Sequence, residues 1–86
     1  MAARIRKSGG EDFARMAEAY ESALVRRGPL TGIFVVDEGS RARLRWITAG
    51  EIRDGRAEVL TGLKAGERFV LSPPPGLEDG AQIEVK

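Results

Sequence analysis

The stretch from Gly28 to Gly50, GPLTGIFVVDEGSRARLRWITAG, constrains the fold of this chain more than any other. Ile33, Phe34, Val35 and Val36 form a β-branched and aromatic run suited to a pleated surface. Asp37-Glu38-Gly39-Ser40 follows with turn chemistry, because Asp bonds its own backbone and Gly takes a positive φ without steric cost. In the return segment Ala42, Leu44 and Trp46 share one face and Arg43 and Arg45 the other, as the two-residue period of a strand requires. The stretch therefore predicts a β-hairpin. Its own alternation places Trp46 with Leu44 in the core and directs Arg43 and Arg45 outward.

With 86 residues there is room for one small domain and one modest core. Fourteen Lys and Arg against 13 Asp and Glu leave no global field to attract nucleic acid or an acidic membrane. The chain has no Cys, which excludes disulfides and thiolate metal sites, and no His, the commonest general base and metal ligand. No apolar run approaches the roughly 20 residues that span a bilayer, so no direct membrane insertion is expected. The basic start, Met1 to Lys7, leads into Ser8-Gly9-Gly10 rather than an apolar segment, so no export signal is expected in this chain.

Residues 1–9 are expected to be disordered and residues 10–27 to form an amphipathic helix. Ser8 and Glu11 have capping-box spacing. Phe13, Met16, Tyr20 and Leu24 recur at helical spacing, with Ala17 on the same stripe. Arg26 and Arg27 would suit the last turn, and Gly28-Pro29 reads as a stop. The stripe is expected to pack on the chain's own sheet or on a second copy, in preference to a partner helix or a membrane.

Beyond the hairpin, Asp54-Gly55 signals a turn, Ala57 to Thr61 a strand, and Gly62 to Glu67 a second glycine-punctuated turn. Arg68 to Ser72 reads as a further strand. Pro73-Pro74-Pro75 cannot sit in a central strand, and Asp79-Gly80 precedes a short last strand over Gln82 to Val85. The fold class is then mainly β, a small antiparallel barrel or sandwich-like domain over residues 28–86 with one N-terminal α-helix. One buried cluster is expected from Phe34 or its neighbours Ile33 and Val35, with Leu44, Trp46, Val59, Phe69, Leu71 and Ile83.

Candidate chemistry is sparse. Gly62 to Glu67 lacks phosphate-loop spacing and joins two strands, so it is a plain turn. Arg41, Arg43, Arg45 and Arg53 concentrate positive charge near Trp46 and are the candidate partner contacts. On an OB-like barrel they would suit single-stranded nucleic acid, the alternative reading, but Trp46 shares its face with Leu44 rather than with Arg43 and Arg45. The carboxylates, among them Asp37, Glu38, Glu51, Asp54, Glu58 and Asp79, fall mostly in or beside turns and form no catalytic set without His or Cys. Neither enzymatic activity nor a cofactor or metal is expected.

Several segments carry a resemblance. These are Glu21 to Gly28, Gly32 to Asp37, Ala42 to Ile47, Val59 to Val70 and Gly76 to Gly80. In this order they are similar to the C-terminal region of the periplasmic adaptors, or membrane fusion proteins, of resistance-nodulation-division efflux pumps. The similarity covers roughly residues 21–86 and implies the membrane-proximal domain. It is a small β-barrel-like module that docks on the inner-membrane transporter and on neighbouring adaptor subunits of a tripartite pump, in the periplasm. In that family the domain is completed by a strand from the N-terminal part of a much longer chain with coiled-coil, lipoyl and barrel domains. Residues 1–20 do not read as such strand, so the chain is expected to be a fragment or truncated form with an uncompleted sheet. A homodimer is the expected consequence, formed through the open sheet edge or the helix face of Phe13, Met16, Tyr20 and Leu24.

Overall fold

A computed structural model describes residues 2–7, 17–64 and 66–85. Its central hairpin is the expected one. Strand β4 (Leu30–Val36) pairs antiparallel with β5 (Arg41–Arg53), with Phe34 opposite Leu44 and Gly32 opposite Trp46. β5 runs well past Gly50 and returns as β6 (Arg56–Thr61) through Asp54 and Gly55. Both turn residues have positive φ, 53° and 77°, the geometry of a type I′ turn. Register shifts around Ala49 mark bulges that bend β5 as it passes from one partner to the other.

The remaining strands build outward from this pair. β7 (Arg68–Leu71) lies beside β4, with Phe69 opposite Val35, and β1 (Ala2–Lys7) pairs antiparallel with β7. The short β9 (Glu84–Val85) runs parallel to β1, the one parallel pairing among the described strands. On the other side β2 (Ala17–Tyr20) pairs with β6, giving the order β2-β6-β5-β4-β7-β1-β9. β3 (Leu24–Arg27) forms a second hairpin with β4, and β8 (Ala81–Gln82) covers the start of β5. Tyr20, near one end of this order, packs edge-on against Phe69, ring centroids 6.3 Å apart, and lies beneath the Arg6 guanidinium of β1. Strands distant in the sheet order thus meet on one face, and the sheet is curled into a half-barrel. It is mainly antiparallel β, as expected.

The expected helix over residues 10–27 is not formed across 17–27. That segment is β2, a 3-10 turn over Glu21–Ala23, and β3. The helical spacing of Tyr20 and Leu24 arises because the 3-10 turn stands between two strands that each use the same face. Both side chains pack against the core that also buries Ala19 and Ala23. Cross-strand pairing of Tyr20 with Arg56 and of Leu24 with Ile33 overrides local helix preference. Gly28-Pro29, read as a helix stop, is the two-residue loop of the β3–β4 hairpin, with Gly28 at φ +57°. Punctuation by Gly and Pro is common to both devices. Phe13, Met16 and the Ser8–Glu11 cap lie outside the described residues. The N-terminus expected to be disordered over residues 1–9 contains β1, which pairs over Arg4 to Lys7 with β7.

The core is double rather than single. Ile33, Phe34, Val35 and Val36 are all buried, so β4 is covered on both faces. Ile33 and Val35 pack with Ala19, Ala23, Ile47, Val59, Leu63 and Phe69 inside the curl. Phe34 and Val36 pack with Ala42, Val70, Leu77 and Ile83 on the reverse face. Leu44 and Leu71 are only partly buried at the margins. Trp46 departs from expectation, being 45% exposed. Its cross-strand neighbour is Gly32, and a Cβ there would lie 3.0 Å from the indole Cε3, so the ring covers a glycine instead of entering a side-chain cluster.

Candidate functional site

β5 carries Arg41, Arg43 and Arg45 on one face by strict alternation, while Arg53 stands at its far end, about 25 Å further at 3.3 Å per residue. The structure therefore brings together three of the four candidate contacts. Each of the four is held by a carboxylate. Asp37 is the hub of the first group. Its Oδ1 accepts the Gly39 and Arg41 amide N–H groups at 2.9 Å each, which shapes the hairpin turn. Its Oδ2 accepts the Arg43 Nε–H at 3.1 Å and lies 4.0 Å from Arg41 Nε. Arg45 Nη1 donates to Glu67 Oε1 at 2.7 Å and to the Gly62 carbonyl at 3.1 Å. Glu67 Oε1 also accepts the Lys64 amide N–H at 2.8 Å, so one carboxylate ties the 62–67 turn to β5. Arg53 pairs with Glu51 on its own strand, which holds its guanidinium above its ordinary pKa.

These partners set the electrostatics. The Arg41 amide, with Arg43 and the Gly39 amide, holds the Asp37 carboxyl below its ordinary range. Partial burial pushes the Glu67 carboxyl up, but hydrogen bonds from Arg45 and the Lys64 amide, with the Arg45 charge, outweigh it and leave Glu67 lowered. A carboxyl whose folded pKa is depressed adds stability above its unfolded pKa and loses it as pH falls through the folded value. Thermal midpoints are therefore expected to be level from pH 7 to about 5 and to fall below about pH 4. Glu67→Gln should flatten that fall while lowering the midpoint at pH 7. An acid limb equally steep in the variant would remove Glu67 from this role.

All four candidate arginines are thus ion-paired. Single-strand binding combines free cations with stacking aromatics along one track. Here Trp46 projects from the face opposite Arg43 and Arg45, as the alternation predicted, while Arg41 and Arg43 share Asp37 and Arg45 pairs with Glu67. Among the described residues no group of three or more Asp or Glu side chains is placed to hold a metal, and no described helix is long and apolar enough to cross a membrane.

Two further surfaces have no signature in the local sequence. One is apolar: Leu30, Trp46, Ile52 and Leu60 are large apolar side chains left exposed. The second is a groove of about 280 Å³ between β3 and the segment Ser72 to Leu77. Gly32 lies directly across from Trp46, a signal of the exposed indole that only the hairpin register brings out. No protein-family model matches the chain, and no curated protein shows significant similarity to it.

Proposed function

We propose that this chain is a non-enzymatic adaptor module of a tripartite efflux system, docking on an inner-membrane transporter and on neighbouring adaptor subunits in the periplasm. The observation that carries this reading is the placement of β1. It lies between β7 and β9, so the sheet is completed by a strand from the N-terminal end of the chain. The membrane-proximal domain to which residues 21–86 are similar is completed in the same manner. The curled, mainly antiparallel sheet agrees with that domain, and a double core is consistent with a rigid docking module rather than a ligand barrel. Completion by β1 also weakens the motive for dimerising through a missing strand. Among the described strands, the outer edges of β2, β3 and β9 remain open to self-association as a homodimer.

The test is a domain replacement. An adaptor of this pump class has its membrane-proximal domain exchanged for this chain, and drug resistance and crosslinking to the transporter are measured in cells. The expected result is resistance above the domain-deleted control, with crosslinks from the grafted module. A folded graft that gives neither overturns the reading. Steeply salt-dependent binding of single-stranded DNA by the isolated chain would instead favour the OB-like alternative.

A further inference from the structure

Among the described residues, β3 is a strand paired on one side alone. It forms a ladder with β4, and no other described strand pairs with it. Such an edge presents outward N–H and C=O groups, the template on which an extended chain adds as a new strand. What faces this edge cannot take that place. After β7 the chain turns at Ser72, a non-glycine residue at φ +44°, whose N–H donates to the Ser22 carbonyl at 3.2 Å. Pro73, Pro74 and Pro75 then pass alongside without a single N–H to offer. Between the two lies the groove of about 280 Å³, with Val25, Arg27 and Phe34 on one wall and the three prolines on the other. A groove that can take side chains thus lies next to an edge that no described strand pairs.

The chemistry of the occupant follows from the walls. Among the described residues Arg27 is the one charged side chain lining the groove, and Arg26, its neighbour, is exposed on the opposite face of the strand. Unlike the β5 arginines, neither makes an ion pair among the described residues. We propose that the outer edge of β3 receives an extended acidic segment of a partner protein as an added strand. Its alternate apolar side chains enter the groove over Val25 and the prolines, while the intervening carboxylates meet Arg26 and a carboxylate at the groove's end meets Arg27. This goes beyond the adaptor reading and does not depend on it.

The test uses the whole chain and a synthetic peptide of alternating valine and glutamate, titrated into the isotope-labelled protein by NMR. Saturable shifts are expected at the amides of Leu24 to Arg27 and of Ser72, Gly76 and Leu77. Arg26→Glu with Arg27→Glu should weaken binding at least ~10-fold, since both charges are reversed at a weak, charge-assisted contact. If that variant fails to fold, the Arg26→Gln and Arg27→Gln pair serves, with a smaller loss expected. A peptide with proline at its centre should not bind, because it cannot join a ladder. Equal binding of the proline peptide or of a valine-lysine peptide overturns the proposal, as do absent shifts or shifts confined to Arg41, Arg43 and Arg45. Peptide binding alongside a failed domain replacement would remove the adaptor role and leave this site standing. The converse pair of results would remove only this site.

Discussion

Phe69→Ala is expected to cost about 3–5 kcal/mol, the range for deleting a fully buried aromatic side chain. Phe69 is 1% exposed at the heart of the cluster inside the curl. It sits on β7 opposite Val35 on one side and Arg6 on the other, so its ring stands where the central hairpin meets the N-terminal strand. It also holds Tyr20 edge-on at an interplanar angle of 74°, a contact that joins β2 to β7 across the curl. Removing the ring opens a cavity and releases that contact together. Domains of this kind are stable by only about 5–15 kcal/mol, so the variant should be largely or wholly unfolded under mild denaturant. Urea melts at neutral pH should show the midpoint falling with little change in slope. A loss below about 1 kcal/mol would place Phe69 outside the core.

Gly62→Ala is the second large effect, expected at about 2–6 kcal/mol from backbone strain and overpacking combined. Gly62 has φ +99°, a conformation that side chains with a Cβ rarely adopt. A Cβ there would also lie 2.7 Å from the Trp46 carbonyl oxygen and 3.0 Å from Ile47 Cα, both backbone atoms that cannot swing aside. The Gly62 carbonyl accepts Arg45 Nη1–H, so a shift of the turn would disturb the Arg45–Glu67 pair as well. Gly55→Ala is the matched control. Its φ is +77° but nothing lies within 4 Å of the added Cβ, so it should show only the conformational cost, about 1–2 kcal/mol. Equal losses at the two positions would mean that the close approach at Gly62 is not real.

The elements legible in the sequence are those whose determinants are local. The alternation from Ala42 to Trp46, the Asp37 turn and Asp54-Gly55 each specify a hairpin from neighbouring residues, and each appears as read. Elements decided by distant partners were not legible. Arg4 finds its strand partner at Leu71, and no local pattern in Met1 to Lys7 announces it. Tyr20 and Leu24 gave a helical spacing that only pairing with β6 and β4 could overrule. The basic cluster shows the same division. Its faces followed from period 2, but the pairing of Arg45 with Glu67, 22 residues away, did not. Burial of Trp46 failed for a cross-strand reason, since Gly32 leaves it nothing to pack among.

The measurement that bears most directly on this account is backbone NMR of the full chain, combining secondary shifts, cross-strand NOEs and amide exchange. Extended shifts are expected over Arg4 to Lys7 and Ala17 to Tyr20. Cross-strand NOEs should link Arg4 with Leu71 and Tyr20 with Arg56, with protected amides where β1 pairs with β7. Helical shifts running from Ala17 to Arg27, with β1 amides exchanging as fast as in an unfolded chain, would contradict it.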